Sequence, residues 1–286
     1  MTNLDEIYKR MEQERFQKTE NERRYATESD KRRREFVLAE QRLYEKFVII
    51  TNSDAVSAGG GSGNDVNCGC IQFNLNKYII VEYNEDFNLG TNDFTIEWFQ
   101  FQLSGSSFPR TFQFGSWPSK LGVSIEPSGD IFVLYFWIDQ GLGEGEYIAA
   151  LMTSPLDKWV HFAISRLNGT TRIYINGIKM RESSLEYSID VTDIPMQIGV
   201  DIFYTGSTYF NGGISNFRFI NGTGLYQGDT ITVPISVLQP IENTKLLLQV
   251  RTSDTFLVNS GVSKIITNNN SNWNPGNPFK NTPLVV

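Results

Sequence analysis

Trp159 to Met180 reads WVHFAISRLNGTTRIYINGIKM, and its spacing predicts three consecutive antiparallel strands. Trp159–Arg166 is apolar and rich in strand formers, and Leu167-Asn168-Gly169 interrupts it. Thr171–Ile175 alternates, which puts Ile173 and Ile175 on one face and Arg172 and Tyr174 on the other. Asn176-Gly177 follows, the pair that most readily adopts the positive φ angles of a type I′ hairpin. Ile178 and Met180 then resume the two-residue period. A sheet of this kind needs a second apolar layer, and the rest of the chain supplies one.

Working outward, short strands are expected at Ile71–Asn74, Tyr78–Val81, Phe94–Phe101, Thr111–Gly115, Leu121–Glu126, Ile131–Ile138 and Tyr147–Met152 before the hairpin. Met196–Val200, Gly213–Ile220 and Leu246–Val250 are expected after it. Ile131–Ile138 (IFVLYFWI) is apolar on both faces and reads as a central strand covered on each side. Turn chemistry separates the strands and no helical period intervenes. The fold class expected is therefore all-β, a sandwich of two antiparallel sheets. Aromatics make up 13% of the 286 residues, with 20 Phe and 12 Tyr, enough to fill such a core.

The N-terminal region is different. Residues 1–46 contain no Gly or Pro and carry 12 Lys/Arg against 11 Asp/Glu, so a charged α-helical arm is expected over 1–50. With the net charge at −7, the rest of the chain is therefore the acidic part, at about −8, which argues against nucleic acid as a partner. Leu4, Ile7 and Met11 form one brief apolar stripe, and Phe36, Leu43 and Phe47 fall in another. The heptad is not sustained between them. Two readings follow: a solvated helix, or an anchor that lays these six residues against another subunit. Residues 51–66, with SAGGGSGN at 57–64, read as a flexible linker. The body is expected over 67–252, with an extended Asn/Pro-rich tail, 253–286, packing on it.

The two cysteines, Cys68 and Cys70, stand C-x-C. That spacing suits an unstrained disulfide poorly, so free thiols and a reducing compartment are expected. No apolar run approaches the ~20 residues that span a bilayer, and the charged N-terminus does not read as a secretory leader.

Several stretches carry a resemblance. Asn88–Trp98 (NLGTNDFTIEW), Lys158–Arg166 (KWVHFAISR), Arg172–Gly177 (RIYING), Gln197-Ile198-Gly199 and Phe210–Arg218 (FNGGISNFR) resemble, in order and spacing, the signature of laminin-G-like, concanavalin A-like lectin/glucanase jelly rolls. The resemblance implies that fold for the body. Asn221–Tyr226, Pro234, Thr244–Leu248 and the ending from Asp254 to Phe279 resemble modules of phage and large DNA-virus structural proteins. That implies a non-enzymatic virion structural protein, a minor capsid or decoration protein assembled in the host cytoplasm, with capsid subunits as partners of the arm. The alternative is a carbohydrate-binding adhesin for host attachment.

Chemistry is sparsely signalled. Glucanases of this fold carry closely spaced carboxylates, and the nearest pattern is Glu182-Ser-Ser-Leu-Glu186. Its outer carboxylates would stand ~13 Å apart along a straight strand, beyond the roughly 5–9.5 Å that glycoside hydrolysis uses. The single histidine, His161, alternates with Trp159 and Ala163 and reads as structural. No enzyme and no cofactor are expected; the alternative to none is a calcium ion held by loop oxygens, although no cluster has the oxygen density of a clear calcium loop. The loop candidates are Asp190 and Asp193 together with Asp201 to Tyr209 and Asn211. Trp117, Tyr204 and Tyr209 are the aromatics that would stack on a sugar beside Asp201 and Asn211; the other reading is that they pack their own loops.

Overall fold

The computed structural model describes residues 69–116, 120–138, 146–184, 187–250, 258–259, 264–280 and 284. The expected arm with Leu4, Ile7, Met11, Phe36, Leu43 and Phe47, the linker, Cys68, Trp117 and Glu186 lie outside the described residues.

Within them the chain is two antiparallel sheets packed face to face. The strands are β1 (Cys70–Phe73), β2 (Tyr78–Val81), β3 (Phe94–Gln102), β4 (Arg110–Phe114), β5 (Leu121–Ser128), β6 (Ile131–Ile138), β7 (Glu146–Met152) and β8 (Trp159–Leu167). They continue with β9 (Thr170–Ile175), β10 (Ile178–Ser183), β11 (Met196–Ile198), β12 (Gly212–Asn221), β13 (Thr244–Gln249), β14 (Val258–Asn259), β15 (Ile266–Asn269) and β16 (Asn272–Asn274). One sheet runs β10-β9-β8-β3-β12-β1-β16, with β13 also on β12 and β14 on β13; the other runs β15-β2-β11-β4-β5-β6-β7. The strand β6 is second from the edge rather than central, yet Val133, Tyr135 and Trp137 on its outer face are as buried as the core side.

The hairpin has the expected form. Asn168 and Gly169, and then Asn176 and Gly177, all take positive φ, as type I′ turns require. Ile173 faces Ile164 across β8 and β9, and both lie in the inter-sheet core. Trp98 on β3 stacks on Phe162 of β8 at 5.4 Å and meets Phe112 of the opposite sheet edge-on at 6.0 Å. Phe87 sits between Phe114 and Phe219 at 5.5 and 5.4 Å, tying the sheets together a second time. Three buried polar side chains form a hydrogen-bonded chain: Trp98 Nε1 donates to Gln100 Oε1, and Gln100 Nε2 to Gln102 Oε1, each at 3.0 Å. That chain stiffens the end of β3, where a loop departs.

The outer face of the nine-stranded sheet is also covered. Glu97 is wholly buried there, accepting from Arg218 Nε at 2.9 Å and from Arg218 Nη2, and from the Tyr226 hydroxyl at 2.8 Å. His161 Nε2 lies 3.3 Å from the same carboxylate. Burial works against ionisation of Glu97, but His161 and Arg218 outweigh it and hold the carboxyl below its ordinary range. Burial, then Glu97, pushes the Tyr226 phenol up. Tyr226 belongs to the segment 222–243, which crosses this face; Arg218 Nη1 reaches it again by donating to Gln239 O at 2.7 Å. Farther along the same face, Phe279 packs edge-on against Phe99 at 5.1 Å, and Leu284 joins Cys70 and Phe101 in a small second core.

The C-terminal stretch contributes a strand to each sheet: β15 pairs with β2, and β16 with β1. Lys264, just before β15, bonds Asn84 Oδ1 at 3.0 Å and pairs with Asp86.

Candidate functional site

Two connections change sheets at the same end of the sandwich. β3 lies beside β12 in one sheet, with Gln102 opposite Gly212, and β4 lies beside β11 in the other, with Phe112 opposite Ile198. The β3–β4 loop, 103–109, and the β11–β12 loop, 199–211, must therefore run side by side although about 100 residues separate them. Leu103 N donates to Asn211 O at 2.8 Å, Asn211 Nδ2 to Ser104 O at 2.8 Å, and Phe108 N to Ser207 O at 3.1 Å.

The longer loop is fixed from its base. Gly199, at φ +90°, lies against the Phe73 ring; Gly199 N donates to Thr111 O, and Phe210 N to Gly199 O. Asp201 organises the turn that follows. Its Oδ1 accepts from Phe203 N at 3.0 Å and from Ser116 Oγ at 3.3 Å, and Ser116 also lies 3.4 Å from Oδ2. Its backbone carbonyl accepts from Tyr204 N at 3.0 Å. Gln197 Oε1 takes Ile202 N at 2.9 Å, while Thr208 Oγ1 accepts from Asp201 N at 3.1 Å and donates to Tyr204 O at 2.8 Å. One helical turn, Thr205–Thr208, closes the loop. The amides of residues 201–204 are all satisfied within the fold. The side chains of Ile202, Phe203 and Tyr204 are left pointing to solvent.

The five expected ligand-binding residues separate on this frame. Tyr204 is 55% exposed. Asp201 is fully buried and holds the loop from beneath. Tyr209 is also buried, its hydroxyl donating to Asn76 Oδ1 at 3.1 Å. Asn211 is half-buried and bridges the two loops. Trp117 falls outside the described residues. Phe203 at 69% and Phe108 at 43% exposure, neither named from sequence as a stacking aromatic, are instead the other large exposed apolar side chains of the two loops. Ser104, Ser107 and Ser207 are exposed on the same two loops. The signal was available: Ile202-Phe203-Tyr204 is an apolar run flanked by loop residues, and Phe108 closes a serine-rich turn just before Pro109.

The other expected centres do not converge on this end. Asp190 Oδ1 is occupied by Thr192 N and Oγ1 at 2.9 and 2.6 Å, and those bonds, the hydroxyl first, lower its pKa. Asp193 sits at positive φ in the same turn. Glu182 is on the edge strand β10, bonded to Lys179 at 3.0 Å, and that bond is the main cause of its lowered pKa. Among the described residues no group of three or more His, Cys, Asp or Glu is placed to hold a metal ion, and no helix is long and apolar enough to cross a membrane.

No curated protein matches the sequence. Solved structures with similar coordinates include a proposed carbohydrate binding protein from Bacteroides ovatus, 16% identical, covering 72% of this chain and 61% of its own, with a TM-score of 0.47. A native heptameric SAP-like pentraxin from Limulus polyphemus is 12% identical over 72% of this chain and 97% of its own, at 0.46. The CBM40 domain of the Ruminococcus gnavus IT-sialidase, solved with α2,3-sialyllactose, is 11% identical over 57% and 95%, at 0.42. This chain thus spans about three-fifths of the length of the Bacteroides protein. None of these comparisons bears on a virion. The model of the Laminin_G_3 family matches residues 75–223, which is just over half of the sequence and includes both loops of the candidate site. The chain belongs to that family, in the concanavalin A-like lectin/glucanases superfamily.

Proposed function

We propose that this chain is a non-enzymatic carbohydrate-binding module whose ligand sits on the paired loops 103–109 and 199–211. The observation that carries the reading is that Phe108, Phe203 and Tyr204 are exposed on two loops hydrogen-bonded to each other, the amides of residues 201–204 being already satisfied within the fold. An exposed aromatic face covers the apolar C–H face of a pyranose, and few rotatable bonds are frozen in doing so. Exposed serine hydroxyls and the free side of the Asn211 amide supply directional bonds to sugar hydroxyls. Membership of a superfamily that contains lectins supports the reading. Tight anchoring by Asp201 keeps the ordering cost of binding low.

The test is a glycan array followed by calorimetry on wild type, Phe203→Ala and Tyr204→Ala. Each exposed aromatic should cost about tenfold or more in affinity while leaving the melting temperature unchanged. A broad array on which nothing binds, or binding that neither substitution weakens, rules the reading out.

A further inference from the structure

Resting on that reading, we infer that the loop pair recognises uncharged sugars directly, without a bridging metal ion. The loops 103–109 and 199–211 contain one ionisable carboxylate and no Lys, Arg or His. That carboxylate, Asp201, is fully buried and faces inward, where Phe203 N and Ser116 Oγ occupy it.

Calcium recruits six to eight oxygens, with carboxylates prominent among them. A calcium ion on this surface would have to rely on hydroxyls and Asn211, because turning Asp201 outward would strip Phe203 N of its acceptor and unseat the aromatic turn. The donor set of Asp201–Asn211 therefore does not fit a calcium ion.

The same inventory argues against acidic sugars. A carboxylated or sulfated ring calls for Arg or Lys. Arg110, the next cation along the chain, is buried and bonded to Glu126 at 3.3 Å. The neighbouring β7–β8 turn, tied to β3 by Asp157 N to Gln102 O at 2.9 Å, exposes Asp157 and Lys158, whose charges cancel. What the loops offer is aromatic faces, hydroxyls and one amide, which is the complement of a neutral pyranose.

The experiment measures binding of the full chain to neutral oligosaccharides (gluco-, galacto- and N-acetylhexosamine types) and to sialylated, uronic and sulfated ones. Each is run with calcium and with EDTA, at low and high salt, and with Tyr204→Ala alongside. The expected result is neutral ligands bound equally in calcium and EDTA, changing less than about twofold with salt, and weakened about tenfold or more by Tyr204→Ala. Loss of binding in EDTA, or a preference for acidic ligands that salt abolishes, overturns the inference and leaves glycan binding itself standing. Neutral binding indifferent to Tyr204→Ala overturns the assignment to these loops. Failure of every glycan overturns the inference together with the function it rests on.

Discussion

Glu97 on β3 and Arg218 on β12 are register partners across the nine-stranded sheet and form a buried ion pair on its outer face. The pairing depends on a bulge. The ladder between the two strands shifts between Ser215 and Arg218, where Asn216 adopts φ +52°. The irregularity brings Arg218 opposite Glu97 and aims Asn216 Oδ1 at Leu238 N, 3.0 Å away. The bulge thus fastens the 222–243 segment to the sheet at both Asn216 and Arg218.

Removing one member of this pair should be costly. Glu97→Gln leaves the Arg218 guanidinium buried without its counter-charge, and the expected loss is about 3–5 kcal/mol. Urea unfolding reads it as a lower midpoint. The double variant Glu97→Met/Arg218→Met should recover much of the loss, since no isolated charge remains. A Glu97→Gln protein with the wild-type midpoint would show that the network adds little.

Acid should act on the same pair and on the C-terminal clasp. Burial opposes ionisation of both Asp86 and Glu97, and neighbouring groups reverse it: Lys264, then Lys245, at Asp86; the hydrogen-bonded His161 ring and the Arg218 guanidinium at Glu97. Both carboxyls therefore titrate below their ordinary values when folded. Their contribution is complete above the unfolded-state value of about 4 and is lost as the pH falls through the folded one. Unfolding midpoints should be flat near neutrality and drop below about pH 4. Asp86→Asn should lower stability at pH 7 and flatten that drop, because only the charged form holds Lys264 and Lys245. Asp86 is partly exposed, so its share is smaller than that of Glu97.

The base of the candidate loop offers a contrast between two glycines. Gly199 has φ +90°, and a Cβ there would stand 2.5 Å from Phe73 Cδ1, a ring in the core. Gly199→Ala should cost on the order of 2–4 kcal/mol and weaken ligand binding together with stability. Gly206, on the exposed helical turn, has nothing within 4 Å of its Cβ position. Gly206→Ala should shift stability by less than about 0.5 kcal/mol. Thermal unfolding of the two variants checks both, and equal melting temperatures would contradict the packing argument.

Strands β1 to β13 and both hairpin turns were legible in the sequence because their information is local, whereas β14, β15 and β16, in the stretch expected as an extended tail, were not. Alternation over six to nine residues decides which side chains face the core, and Asn-Gly pairs permit the positive φ at Asn168–Gly169 and Asn176–Gly177 whatever the rest of the chain does. The family motifs are legible for a related reason, since they are mostly core positions and turns. The exposure of Tyr204 and the burial of Asp201 and Tyr209 were not legible. Loop residues have no period to separate inward from outward, and Asp201 turns inward because Ser116 and Phe203 N lie there to be bonded. Nor does the sequence show that the loops bearing Phe108 and Phe203 run side by side. Two sheet-crossing connections put them there, and that convergence depends on strand order, a property of the whole chain. The sequence by itself determined the sandwich. Only the tertiary structure decided which loop side chains it leaves exposed.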